Sequence, residues 1–311
     1  MTLSPRLIPL LATALAGACA HGPPPLRSTV LEIEDSGAGL KAYVRATVAG
    51  EKMRMLLDTG APHSVLPAHV VSARRLKRRT SAADLQIVDA NGRLVTLGVA
   101  VDVPVRFDGD NGQVALDFLV NPTWVGDEAI LAPHELLRRG WAMTIDLEHG
   151  ALRLDPEAEA LRRLGEQGSL REVDFRACRE EGLFNNIHRV VTASINGVPA
   201  EMLLDTGSTR TVLARNNPAL PSMAQIVGRV GSAQGVVSAG QGLLVDAVPV
   251  ELAGTAFALP VLVLPASQTC WKGALGADLL RHCTMVWGWS SLWIHCRAPA
   301  AVADQASAGP R

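Results

Sequence analysis

A chain of 311 residues, 48% hydrophobic and 19% charged, has ample material for packed cores and about two domains' worth of length, which excludes global disorder. Its 29 Lys plus Arg stand against 30 Asp plus Glu, so no charge excess points to nucleic acid or an anionic membrane surface as partner. The one basic run, Arg74-Arg75-Leu76-Lys77-Arg78-Arg79, is short and isolated and reads as a solvated loop or helix face.

The N-terminus reads as an export signal. One positive side chain lies in Met1–Arg6, and the apolar stretch Leu7–Ala18 is too short to span a bilayer and is closed by small residues. Ala18-Cys19-Ala20 fits the small-x-small rule of ordinary signal peptidase, whereas Ala16-Gly17-Ala18-Cys19 resembles a bacterial lipobox that would lipidate Cys19. The second form is favoured, although Ala16 stands where Leu is preferred, because Pro23-Pro24-Pro25 would make a stiff tether. Residues 1–20 are therefore expected as signal peptide and 21–39 as tether. The destination is the periplasm or cell envelope, with membrane contact only through a lipid anchor.

From residue 40 onward, short apolar runs broken by Gly, Pro, Asn and Asp predict strands and turns. Ala42–Ala49 reads as a strand, followed by Met55-Leu56-Leu57-Asp58-Thr59-Gly60. A hairpin-like segment, Met143–Leu154, closes this part. Pro156–Leu164 has helical composition with Pro at its start, and 156–184 is expected as a linker, helical in character. Arg189–Ile195 is the next strand, Asn196-Gly197 a hairpin turn, and Met202-Leu203-Leu204-Asp205-Thr206-Gly207 follows. A second hairpin spans Met285–His295, and the Ala-rich end, 298–311, is expected to be disordered.

The chain thus repeats itself. The Asp-Thr-Gly triplets lie 205 − 58 = 147 positions apart, each preceded by Leu-Leu and followed within six residues by Val-Leu (Val65-Leu66 and Val212-Leu213). Ala90-Asn91-Gly92 is matched by Ala233-Gln234-Gly235, Val103-Pro104-Val105 by Val248-Pro249-Val250, and Ile130-Leu131-Ala132 by Ala274-Leu275-Gly276. Two duplicate lobes are expected, at 40–155 and 185–297.

Export directs the reading of the cysteines. Four remain beyond Cys19, an even number that suggests two disulfides in an oxidising compartment. Cys283 and Cys296 lie symmetrically about the centre of the last hairpin, which sets them opposite each other; Cys178 with Cys270 follows by elimination.

One Asp-Thr-Gly is no more than a turn after a strand. Two, related by a pseudo-twofold axis, bring Asp58 and Asp205 together. Close carboxylates in an apolar frame share one proton, so the ionised member can take a proton from a held water while the other donates to the carbonyl under attack. Gly60 and Gly207 permit close backbone approach, and the Thr59 and Thr206 hydroxyls are placed to fasten one loop to the other.

On these residues the chain resembles the aspartic proteases, and within them the bacterial retropepsin-like proteins, here as two copies in one chain. The resemblance implies an all-β, bilobal, pseudo-twofold fold of two retropepsin-like β-barrel lobes. It implies hydrolysis of a polypeptide by the Asp58–Asp205 pair through an activated water, with no cofactor, no metal and no covalent intermediate. It also implies interlocking of Thr59 with Thr206, and a second signature at Ala274–Leu280 in which Ala132 replaces the Gly of the first half. A substrate-covering flap is implied in each half, at Ala90, Asn91 and Gly92 and at Ala233, Gln234 and Gly235. The single Tyr, Tyr43, lies far from either, which fits the pepsin-like single flap less well.

Other readings carry less weight. His282, Cys283, His295 and Cys296 cannot converge on one zinc ion, because adjacent strand residues face opposite ways. His63 and His69 read as structural, and no Gly-x-Ser-x-Gly elbow supports serine chemistry. Trp287, Trp289 and Trp293 read as core or interlobe packing. A monomer suffices for catalysis, since both aspartates are in one chain. The rival function is a catalytically silent envelope peptide- or protein-binding protein with the same fold; a third is a protease with one dedicated partner.

Overall fold

The computed structural model describes residues 27–35, 39–79, 85–88, 94–110, 112–122, 126–166, 168, 170–179, 187–220, 229–234, 239–265 and 270–299. The signal segment, Cys19 and nearly all of the 298–311 tail lie outside the described residues.

The first half begins with β1 (Ser28–Asp35), β2 (Leu40–Val48), β3 (Glu51–Leu57) and β4 (Val65–Pro67). Helix α1 (Ala68–Ala73) follows, then β5 (Arg78–Arg79), β6 (Leu85–Val88), β7 (Leu94–Phe107), β8 (Val114–Asn121) and β9 (Ala129–Leu131). A 3-10 turn at Pro133–Leu136 leads to the hairpin β10 (Trp141–Asp146) and β11 (Ala151–Pro156). Helix α2 (Glu157–Gly165) then opens the second half, with β12 (Arg171–Glu172), β13 (Phe175–Arg179), β14 (Ile187–Ile195), β15 (Val198–Leu204) and β16 (Val212–Ala214). Next come β17 (Arg229–Gln234), β18 (Ala239–Leu252), β19 (Thr255–Leu264) and β20 (Gly273–Leu275). The short α3 (Ala277–Leu280) and the hairpin β21 (Cys283–Trp287) and β22 (Leu292–Cys296) complete the chain.

The duplication extends to strand pairing. In both halves the strand ending in Leu-Leu-Asp runs parallel to a short apolar strand, β3 with β9 and β15 with β20. β4 and β16 likewise run parallel to β8 and β19. The two long strands break register at the same place, between Ala100 and Val103 in β7 and between Val245 and Val248 in β18. Asp102 and Ala247 take positive φ there, 54° and 55°, just before each Val-Pro-Val. Such a bulge bends a 14-residue strand round its lobe, and the ladder tolerates proline beside it. The free carbonyls of the two prolines are used identically: Pro104 accepts from Ala49 N at 2.8 Å and Pro249 from Asn196 N at 2.7 Å.

The terminal hairpins join the lobes. β10 pairs antiparallel with β21, Met143 opposite Trp287 through Asp146 opposite Thr284, as a twofold relation requires. The sheet continues through β22 to β12 on one side and through β11 to β1 on the other. Helix α2 packs Ala160 and Leu164 on this sheet, against Ala142, Val286 and the half-buried Trp293. Trp287 is buried, whereas Trp289 at the hairpin tip is 56% exposed and belongs to neither core nor interface. Arg189 supports the turn from the second lobe, stacking on Phe175 and Trp287 and donating to the Gly288 and Trp289 carbonyls. One apolar core runs through both lobes, from Leu40 and Val44 to Leu279 and Ile294.

Two boundary expectations need correction. Within the expected tether, Ser28–Asp35 is a strand paired with β2 and β11. Within the expected linker, helix occupies only Glu157–Gly165, while β12 pairs with β22 and β13 with β14. For β1 and β13 the cause is common: each lobe's first inner strand, β2 or β14, needs a partner on its outer side, and the preceding chain supplies it, while β12 covers the edge of β22. The disulfides are as read, Cys178 with Cys270 and Cys283 with Cys296, the latter pair directly opposite in register.

Candidate active site

Each Asp-Thr-Gly triplet leaves an apolar strand whose last residues, Leu56-Leu57 and Leu203-Leu204, are buried, and so enters its loop from a rigid support. Asp58 N donates to Leu131 O and Asp205 N to Leu275 O, both at 3.0 Å, which anchors the two loops alike to β9 and β20.

The loops then clasp each other. Thr59 N donates to Thr206 Oγ1 at 3.1 Å, and Thr206 N returns the bond to Thr59 Oγ1 at 3.0 Å. Each hydroxyl crosses further: Thr59 Oγ1 donates to Leu204 O at 2.7 Å and Thr206 Oγ1 to Leu57 O at 2.6 Å. Every donor and acceptor of the clasp is buried, so opening it would leave polar backbone unpaired.

This clasp brings the carboxyls of Asp58 and Asp205 within hydrogen-bonding reach of each other. Asp58 Oδ1 accepts from Gly60 N at 2.9 Å and Ala61 N at 2.8 Å. Asp205 Oδ1 accepts from Gly207 N at 2.9 Å and Ser208 N at 3.0 Å. The glycines are obligatory through contact across the axis. A Cβ at Gly60 would lie 2.6 Å from Asp205 Cγ, and one at Gly207 would overlap the Asp58 carboxyl, with Oδ1 at 2.7 Å. Burial raises the pKa of both carboxyls, and the charge of Asp205 drives that of Asp58 well above the usual carboxylate range. Backbone N–H bonds act the other way on each. Two carboxyls so placed disfavour ionisation of both at once.

A second tier was not read from the sequence. Ser64 Oγ donates to Glu135 Oε2 at 2.6 Å and accepts from Ala132 N at 3.0 Å. Thr211 Oγ1 donates to Asp278 Oδ1 at 2.8 Å and accepts from Gly276 N at 3.2 Å. Hydroxyl, acid and backbone amide thus recur under each loop. The repeat carried the signal, since Ser64 and Thr211 both stand six residues after their aspartate. Ala132 fits in the first half, whereas a Cβ at Gly276 would lie against the Arg210 backbone, with Thr211 N at 2.7 Å. Two histidines also reach the first loop: His134 Nε2 lies 3.0 Å from Pro62 O and His188 Nδ1 3.1 Å from Gly60 O. Burial lowers the pKa of His134.

Of the other expected residues, Ala90, Asn91 and Gly92 lie outside the described residues, as does Gly235. The arms flanking them pair as hairpins, Leu85 to Val88 with Leu97 to Leu94, and β17 with β18 up to Gln234 opposite Ala239. Ala233, opposite Gly240, is thus at the end of its arm. His63 lies 3.3 Å from Glu135 and His69 3.4 Å from Asp127, both half-exposed. Tyr43 is buried under the Arg54 guanidinium, 4.2 Å from its ring, which makes it a packing residue.

A sequence profile described as aspartyl protease matches residues 44–131 and 191–279, one copy in each half. Among solved structures, the chain is similar to basic 7S globulin from soybean, with a TM-score of 0.52 and 13% identity over 86% of this chain and 95% of that one. It is also similar to conglutin gamma, a basic 7S globulin from lupine seeds, with a TM-score of 0.51 and 13% identity over 88% and 95% of the two chains. At that identity the likeness concerns the fold. No curated protein matches the chain significantly.

Proposed function

This chain belongs to the aspartyl protease family, and from that premise we propose that it is an aspartic endopeptidase with Asp58 and Asp205 as its catalytic pair. The observation that carries the reading is the cross-clasped pair of loops, which holds two half-buried carboxyls together at a considerable electrostatic cost. Both Oδ1 atoms are engaged by backbone donors, so water activation and proton transfer fall to the Oδ2 atoms. The ionised carboxylate takes a proton from water as its oxygen attacks the scissile carbonyl carbon, and the protonated carboxyl donates to the carbonyl oxygen. Collapse of the tetrahedral adduct breaks the C–N bond; the proton first taken from water passes to the leaving nitrogen, and one hydroxyl of the adduct returns a proton to the carboxylate that had donated to the carbonyl oxygen. No group outside the pair is needed for this balance.

The substrate class is polypeptide, and one chain carries both acids, so a monomer is sufficient. Export to the cell envelope is part of the same reading; two disulfides support it, as such bonds persist in oxidising compartments. A second reading, a catalytically silent binding protein, is favoured by one fact: the solved structures of similar fold named above are called globulins.

Incubation of the chain with a diverse peptide mixture from acidic to neutral pH, beside Asp58→Asn and Asp205→Asn, separates the two. Cleavage by the native chain that both variants lose supports the peptidase. Identical uncleaved peptides in all three samples would overturn it.

A further inference from the structure

The clasp obeys the twofold axis, but the surroundings of the pair do not. His188, the second residue of β14, is buried and crosses the lobe boundary to the Gly60 carbonyl, 3.1 Å from Nδ1. A carbonyl oxygen only accepts, so Nδ1 carries the proton of this bond. Gly60 is the residue through which both acids are positioned. Its N–H bonds Asp58, and its Cα lies against the Asp205 carboxyl. His188 fixes its remaining polar group.

Among the described residues the first half has no equivalent imidazole. Tyr43 opposite Leu56 and Val190 opposite Leu203 are matched pairs at the repeat interval of 147, so the counterpart of His188 is Lys41. Several neighbouring charges among the described residues are directed elsewhere. His134, with Glu135 and His63, is on the Pro62 side of the loop, and Arg189 bonds the Gly288 and Trp289 carbonyls. Gly60 touches both sides, bonding His188 through its carbonyl and lying against the Asp205 carboxyl where a Cβ would meet it.

We propose that His188 is a positioning residue of the pair: it fixes the Gly60 peptide and, as a cation, keeps the negative charge on Asp205 and the shared proton on Asp58. The proposal rests on the endopeptidase reading. The electrostatics agree, since burial raises Asp205 while positive His188 acts to lower it, and Asp58 is driven up by burial and by Asp205.

The test compares the native chain with His188→Gln, which retains a donor without the charge, and His188→Leu, which retains neither. Carbon-13 titration of the aspartate carboxyls reads the pair without turnover. Its lower step should rise by about 1 pH unit in both variants. Cleavage kinetics should show a matching upward shift of the acid limb in both, with kcat at the optimum reduced about tenfold in His188→Leu and largely restored in His188→Gln. An unchanged lower step in His188→Gln would overturn the electrostatic role, and equal kcat in the two variants would overturn the positioning role. If the native chain cleaves nothing, the endopeptidase reading fails, while the titration still decides whether His188 biases the pair.

Discussion

Replacing Thr206 by Val tests the clasp with almost no change of shape. The substitution removes the donor to Leu57 O at 2.6 Å and the acceptor for Thr59 N at 3.1 Å. Leu57 and Thr59 are buried, so both backbone groups are left without a partner and without ready access to water. At about 1–3 kcal/mol for each unsatisfied group, the cost is about 2–6 kcal/mol. For a chain of this size each kcal/mol lowers the melting midpoint by about 2–4 °C, so a fall of about 10 °C is expected. Thr206→Ser retains the hydroxyl and should lose only the packing of a methyl group, about 1 kcal/mol. Thr59→Val should behave like Thr206→Val. The double Val variant should cost less than the sum of the two, because opening either clasp already releases the opposite loop. Calorimetric melting of the four variants beside the native chain measures this. A Thr206→Val midpoint within 1–2 °C of Thr206→Ser would refute the reasoning, since the hydroxyl would then contribute nothing that the methyl does not.

Gly60→Ala should lower cleavage of a good peptide substrate by at least about a hundredfold, because its Cβ would lie 2.6 Å from Asp205 Cγ and would force the pair apart; steady-state kinetics read the loss. Asp58→Asn should raise the unfolding midpoint at pH 7. A carboxyl whose pKa is raised in the folded state stabilises the fold fully below its unfolded pKa and loses that contribution as pH rises through the folded value. The advantage of Asn should therefore shrink as pH is lowered towards about 4, which denaturant titrations at several pH values would show. Removing Cys178–Cys270, which closes a loop of 92 residues, should cost about 4–5 kcal/mol. Removing Cys283–Cys296, with a separation of 13, should cost about 3 kcal/mol, and equal losses on denaturant unfolding would contradict the loop-entropy account.

The duplicated Leu-Leu-Asp-Thr-Gly made the lobes and the central pair legible, and hairpin symmetry placed Cys283 opposite Cys296. Reading Ser28–Asp35 as tether and Arg171–Arg179 as linker failed because short strands at a lobe's outer side carry little alternation of their own. They are strands because β2, β14 and β22 offer unpaired edges, to β1, β13 and β12 respectively. His188 lay beyond reach for a different reason. Its counterpart in the repeat is Lys41, so no duplication marked it, and a lone histidine entering a strand has no pattern.

The sequence by itself determined that two related β lobes exist and which residue of each carries an acid, because duplication preserves the order and spacing of residues along a chain. Only the tertiary structure decided how the acids are held. Each glycine abuts the aspartate of the other half, each threonine bonds backbone of the other half, and His188 breaks the symmetry from the second lobe onto the first loop. These are contacts over about 130 to 150 positions. They depend on how β10 and β21 set one lobe against the other, which no local pattern records.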